Sequence, residues 1–337
     1  MKVLQASCLF IILSMGNHLF AYVSEVDSLI GRGIDQSIRQ NYAEAESTFS
    51  KIIRLEKNHP RGYFFLAAVV QSKMMDFETD RWEESFLSLL KKAEHYAKKL
   101  IKQNKQNAWA HFYLGSVFSY RAFYNGKSKE YISAIKYGLA GISSLEKAIK
   151  LDSTVYDAYF GIGSYKYWRS KLTRYFNWLP LISDERKPGI EMVKLSAQKG
   201  KYTKYAAINE LTWILIDDGK VTEALKWAKL GLQNYPHSRF FLWGAAKSYY
   251  NLNQFNRALE YYNIILTSVK NEEINNHYNE IICYYKIAQC YFHLEQYEKS
   301  LNYCDDITKI KTSSGVKDRL NEIFKKVREL KEKIKAK

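Results

Sequence analysis

The residues in this chain best suited to chemistry are cations set among aromatic rings. Between Lys166 and Lys204 stand ten basic residues against Asp184, Glu185 and Glu191, with Tyr165, Tyr167, Trp168, Tyr175, Phe176 and Trp178 interleaved or adjacent. Cations spaced between ring faces grip anionic polymers, acidic peptides or lipid head groups, by cation–π contact and by long-range attraction. Lys171, Arg174, Arg186 and Lys187 are the candidate contacts there. The competing reading is that the rings fill a local core while the lysines are solvated ends with buried stems.

Catalytic chemistry is not visible. Beyond the first residues, His59, His95, His111, His237, His277 and His293 form no HExxH-type pair, and none is set at ligand spacing from a cysteine. Gly31-Arg-Gly33 and Gly161-Ile-Gly163 lie inside helix-forming phrases, without the strand that a phosphate loop needs. There is no GxSxG phrase, and no carboxylate pair is singled out by an apolar setting. The chain therefore reads as non-enzymatic, with no cofactor and no metal. Cys283 and Cys290 are seven residues apart on one helix, about 10 Å along its axis and beyond disulfide reach. Cys290 and Cys304 fall on successive helices, where they either pair or serve as small core residues.

The elements that must position these residues show a recurring phrase. It reads NYAEAESTF from Asn41, GKVTEALKWA from Gly219, NQFNRALEYY from Asn253 and EQYEKSLNYC from Glu295. A repeated helical unit cannot bury its own apolar face, so its copies must stack into a solenoid. Aligning the small residues places unit starts near Val26, Pro60, Ala108, Tyr156, Tyr205, Arg239 and Ile281. Each first helix then carries a large–small pair, as in Leu66-Ala67, Leu114-Gly115, Ile162-Gly163, Ala245-Ala246 and Ile287-Ala288. The small member lets two helices of a hairpin cross closely. The apolar fraction of 47% supports a core of this size, and only 4 prolines suit a chain made mostly of helix.

These phrases resemble tetratricopeptide repeats, with Leu232-Gln-Asn-Tyr-Pro236 supplying the proline ending of a unit. The resemblance implies an all-α, right-handed superhelical solenoid of about seven helix–turn–helix hairpins over residues 22–315. It also implies an inner surface built by the second, fifth and ninth places of the first helices. In this sequence those places include Trp109, Phe112, Ser116, Asp157, Phe160 and Ser164 in the middle units, and Phe240, Trp243, Lys247, Ile282, Tyr285 and Gln289 in the later ones. The middle units depart from the family, since their starts are 48 or 49 residues apart where others are 34 apart. The extra residues fall near 74–81, 124–131 and 172–189, as longer helices or as loops on one rim. Long-repeat arrays of this kind are loosely similar to a tetratricopeptide family known from a fungal outer-mitochondrial-membrane protein and bacterial relatives.

The two ends read differently. Met1-Lys2, the apolar run Val3–Leu19 and Ala21 make residues 1–21 a signal peptide, with a retained anchor or a buried first helix as alternatives. Residues 316–337 carry Leu320, Ile323, Phe324, Val327, Leu330 and Ile334 at helical spacing, the pattern of a capping helix. The formal charge of +16 would suit nucleic acid inside a cell; with export assumed, the anionic partners left to it are acidic proteins, anionic lipid or an envelope polymer. The expected role is a protein- or peptide-binding scaffold in the periplasm or envelope of a bacterium, peripheral to the outer membrane. The alternative is surface attachment through residues 166–204.

Overall fold

Small residues decide how the helices of this chain meet. A Cβ added at Gly115 would lie 2.7 Å from Leu145 Cγ and 2.8 Å from the Gly141 carbonyl oxygen, and one at Gly163 would lie 2.6 Å from the Gly189 carbonyl oxygen. Each crossing is thus backbone against backbone, and any side chain there would push the pair apart. The computed structural model describes residues 25–173, 183–272 and 274–337; the expected signal peptide and Arg174 lie outside them.

Among the described residues the chain forms seven helix pairs and one terminal helix. The pairs are α1 (25–38) with α2 (Tyr42–Leu55), α3 (Pro60–Asp76) with α4 (Glu83–Gln103), and α5 (Ala108–Lys127) with α6 (Tyr131–Leu151). They continue as α7 (Tyr156–Thr173) with α8 (Arg186–Lys199), and α9 (Lys204–Asp217) with α10 (Val221–Asn234). The last are α11 (Arg239–Asn251) with α12 (Phe255–Lys270), α13 (Tyr278–His293) with α14 (Tyr297–Lys309), and then α15 (Ser314–Lys335). First helices begin within one turn of every start read from the sequence.

One turn geometry recurs between first and second helices. Gln40, Glu78, Lys129, Gly219, Asn253 and Glu295 all have positive φ, from 51° to 77°. The next residue's N–H then bonds back to the fifth carbonyl before it, as in Asn41 to Gln36 (2.9 Å), Glu130 to Asn125 (2.8 Å) and Gln296 to Tyr291 (2.9 Å). This is the left-handed stop that satisfies orphan carbonyls at a helix C-terminus. The extra length of the middle units is helix rather than rim loop in α3 to α6. They run 17, 21, 20 and 21 residues, against 14 in α9 and α10 and 13 in α11.

The coil closes on itself, which the sequence did not indicate. Arg239 at the start of α11 is 3% exposed and forms ion pairs with Asp76 at the end of α3 and with Glu272. Tyr42 donates to the same Asp76 carboxylate at 3.0 Å. Asn276 donates to the carbonyls of Phe77 (3.0 Å) and Glu78 (2.8 Å), and Asn279 to that of Asp76 (2.7 Å). Arg319 of α15 donates to the Glu78 carbonyl at 2.8 Å and pairs with its carboxylate. Beside this seam, Ser238 donates to the Ile38 carbonyl at 2.6 Å, and Ile38 packs in a cluster with Tyr167, Leu211 and Phe241.

The terminal helix α15 buries Val316, Leu320, Val327, Leu330 and Ile334 against Ile281, Tyr285, Ala288 and Cys304. Cys283, Cys290 and Cys304 are free and buried, and burial pushes the Cys290 thiol up to about 12 and Cys304 up to about 11. They act as small core residues. Among the described residues no helix is long and apolar enough to cross a membrane.

Candidate functional site

The inward faces of all seven first helices line one half-open cavity. Its volume is about 600 Å³. Ile34 and Ile38 come from α1, Phe64 and Ala68 from α3, Phe112 and Ser116 from α5, and Asp157 and Phe160 from α7. Asn209 and Trp213 come from α9, Phe240 and Trp243 from α11, and Tyr278 and Ile282 from α13. Closure of the coil completes the wall, since Gln40, Asp76 and Arg239 of the seam are also part of it.

The charged groups of this wall are already engaged. Burial works against the charge of Arg239, yet Asp76 and Glu272 hold its guanidinium above the usual range. Asp157, 2% exposed, accepts from the backbone N–H groups of Lys201 (3.0 Å), Tyr202 (2.7 Å) and Thr203 (2.8 Å), fixing the entry to α9. Outside the wall, burial opposes ionisation of Asp27, while the hydrogen bonds from Lys201 and Tyr202 hold its carboxyl below the ordinary value. Burial alone pushes the Tyr120 phenol up to about 12. Just outside the wall, burial raises the Glu210 carboxyl, opposed by donation from Trp168 Nε1 at 2.7 Å. Asn209 Oδ1 is buried and no described group donates to it.

Seven of the twelve expected inner-surface residues, Phe112, Ser116, Asp157, Phe160, Phe240, Trp243 and Ile282, stand in this wall, and Ser164, Lys247 and Gln289 do not. Tyr285 does not: it is 6% exposed because α15 covers its face. Trp109 does not line the cavity either; its ring packs on Tyr202, with centroids 5.5 Å apart, and on Phe112 at 5.2 Å. The inner-surface register, continued into the units from Pro60 and Tyr205, points to Arg61, Phe64 and Ala68 and to Ala206, Asn209 and Trp213. All but Arg61, which pairs with Glu56, line the cavity. That extension was the missing signal.

The basic stretch is less free than its composition suggests. Lys166 and Arg169 pair with Glu185, Lys171 with Asp217, and Arg186 with Asp184 and Asp218. Lys194 reaches Glu191 and Glu223, and Lys201 reaches Asp27. Lys171 and Arg186 are thus committed to carboxylates from other helices or the adjoining loop, while Lys187 is exposed. The local surplus of cations is met by acids far away in sequence, which a count along the chain does not register. Among the described residues no group of three or more His, Cys, Asp or Glu stands where a metal ion would be held.

A tetratricopeptide repeat profile matches residues 241–271, which span most of α11 and α12. No curated protein sequence matches the chain. In fold the chain is similar to the Cut9–Hcn1 hetero-tetramer of the APC/C, with a TM-score of 0.52 and 12% identity over 87% of this chain and 48% of that one. It is also similar to YrrB, described as a TPR protein with an unusual peptide-binding site, with a TM-score of 0.47 and 15% identity over 67% of this chain and 97% of that one. For the C-terminal part of a TPR repeat-containing protein from Cytophaga hutchinsonii the TM-score is 0.43 and the identity 17%, over 88% and 98% of the two chains. The architecture is an all-α solenoid of paired helices of the tetratricopeptide kind.

Proposed function

We propose that the protein is a non-enzymatic scaffold that binds a protein or peptide segment on the inner surface of its solenoid. The observation that carries this reading is the convergence of all seven first helices on one aromatic-walled cavity. A few buried rings dominate affinity in such sites, and neighbouring residues chiefly exclude water. The test is capture from native cells with the wild-type protein and with a Phe160→Ala, Trp243→Ala variant. A discrete partner kept at high salt by the wild type and lost by the variant supports the reading. A partner kept equally by both overturns it.

In the same reading the chain works in the periplasm or envelope of a bacterium, peripheral to the outer membrane, after loss of residues 1–21. The basic start and apolar run of that segment support this. The mass of the protein recovered from its native cells tests it: a chain still beginning at Met1 removes the cleavage step.

A second reading, attachment to anionic lipid, is favoured by one surface, and it is not the 166–204 stretch. On α6, Tyr131 (64% exposed), Ile132 (87%), Ile135 (65%) and Leu139 (56%) share one face. Lys129 and Lys136 are exposed beside it. An apolar face bordered by cations suits an anionic membrane surface. Ile132→Asp with Ile135→Asp removes cosedimentation with phosphatidylglycerol vesicles on this reading; unchanged cosedimentation overturns it.

A further inference from the structure

Cations inside this fold are paired as a rule. Among the described residues, every lysine or arginine that is buried or half-buried has a carboxylate partner, except Lys247 and Lys286. The pairs run from Arg61 with Glu56 near the start of the array to Lys331 with Asp305 at its end. An ammonium that loses water without gaining a counter-charge weakens the fold, and here that loss is taken twice.

The two exceptions stand together. Lys247 of α11 and Lys286 of α13 lie 5.4 and 6.0 Å from the centroid of the Tyr250 ring, and Lys286 lies 5.3 Å from that of Tyr285. Burial first, and then the charges of Lys247 and Lys326, bring the Lys286 ammonium down to about 8; burial lowers Lys247 as well. Ring faces offset part of the lost hydration but leave the positive charge in place. On α15, Glu322 is taken by Lys326 at 3.5 Å and Glu329 acts on Tyr285, and neither pairs with Lys247 or Lys286. Lys286 Nζ donates to Gln289 Oε1 at 3.1 Å, which leaves the amide hydrogens of Gln289 to donate elsewhere.

The cation pair borders the cavity. Trp243 and Ile282 line its wall, and each precedes one of these lysines by four residues, about 6 Å along the helix. Two ammoniums, with Lys326 at their margin, match the charge of a dianion, whereas a single carboxylate would leave one of them uncompensated. A phosphoryl group carries close to two negative charges and three acceptor oxygens, enough to accept from both lysines and from Gln289 in charge-assisted bonds.

We propose that Lys247 and Lys286, together with Gln289, form a binding site for a phosphoryl dianion at the edge of the cavity. The inference goes beyond the scaffold reading and does not rest on it. The group arrives as inorganic phosphate or on an organic body that extends toward Trp243; the shared chemistry is the doubly charged oxyanion.

The test titrates the full chain at pH 7 with inorganic phosphate, with phenyl phosphate and with acetate. Sodium chloride holds the ionic strength constant, so that screening of surface charges does not change. Affinity is read from the rise of the melting temperature with ligand concentration. Expected is a saturable rise with the phosphates and none with acetate. Lys247→Gln and Lys286→Gln each weaken the binding at least about tenfold, while Lys187→Gln, in the exposed basic stretch, leaves it unchanged. Each of the first two variants removes an unpaired charge and so folds at least as well as the wild type, and each is read on its own. Phenyl phosphate binding about tenfold more tightly than inorganic phosphate supports the site with an organic body toward Trp243; equal binding supports it with the free ion. No rise with either phosphate, an equal rise with acetate, or an unchanged affinity in Lys247→Gln or Lys286→Gln overturns the inference. Partner capture by the Phe160→Ala, Trp243→Ala variant decides the scaffold reading separately, whatever the phosphate result.

Discussion

His59 shows how much one side chain depends on where the coil puts it. It caps α3 by accepting from the Arg61 backbone N–H at 3.2 Å. Burial first, and then the nearby Arg61 charge, lower its pKa to about 4. The imidazole is therefore neutral in the folded protein while it titrates near 6.5 in the unfolded chain. Between pH 6.5 and about 4 the unfolded state takes up a proton that the folded state does not, so stability falls on acidification through that window and this contribution levels off below it. The full span is worth at most about 3 kcal/mol. Asn retains an acceptor for the cap, so His59→Asn flattens the dependence of urea-denaturation stability on pH between 6.5 and 4. An unchanged slope would show that His59 is protonated in the fold. Gly115 makes a complementary prediction. Its missing Cβ leaves room for Leu145 and the Gly141 carbonyl, so Gly115→Ala costs about 1–3 kcal/mol by overpacking. Chemical denaturation measures this directly, and a neutral effect would mean that the α5–α6 crossing relaxes freely.

At the scale of elements, the recurrent left-handed turn is the feature that sequence patterns hide. Only Gly219 announces it; Gln40, Lys129, Asn253 and Glu295 adopt the same conformation with a Cβ attached. A left-handed residue other than glycine costs roughly 1 kcal/mol, so Lys129→Gly and Glu295→Gly each stabilise the protein by up to about 1 kcal/mol in thermal or urea melts. A loss of stability would mean that these side chains make contacts outweighing the strain. The helix pairs themselves were readable, because Gly115, Gly163, Ala246 and Ala288 recur at the same place of their units. That arrangement is local, and local patterns survive in sequence. The cavity was readable in part for the same reason, through Phe112, Phe160, Phe240 and Trp243. Tyr285 followed the same register but faces α15, whose docking is set by the fold and not by the repeat.

The whole molecule holds the part that no local pattern contains. Closure joins residues about 160 to 240 positions apart, such as Asp76 with Arg239 and Glu78 with Arg319. Whether such groups meet depends on the pitch of the coil, and the pitch depends on long helices α3 to α6. The sequence reveals their extra length but not the angle it imposes. Removing Arg239 leaves Asp76 and Glu272 with no guanidinium at the seam, and loss of one partner from a buried ion pair costs about 3–5 kcal/mol. Arg239→Met therefore lowers stability by that order, and hydrogen exchange speeds up at Ile38–Asn41 and at Phe77–Thr79 ahead of the distant α5–α6 pair. Uniform acceleration along the chain would show that the seam is no weaker than the rest.

Closure also sets a schedule for the growing polypeptide. In an open array each new hairpin finds its support in the one made just before it. Here Ile34 and Ile38 of α1 leave the ribosome about 200 residues before Phe241, part of the surface that covers them. At about 5–20 residues per second the wait is roughly 10–40 s. For that interval the edge of α1 that carries Ile34 and Ile38 stands uncovered, available to chaperones and to other nascent chains, and the ring is finished only when its last third has been made.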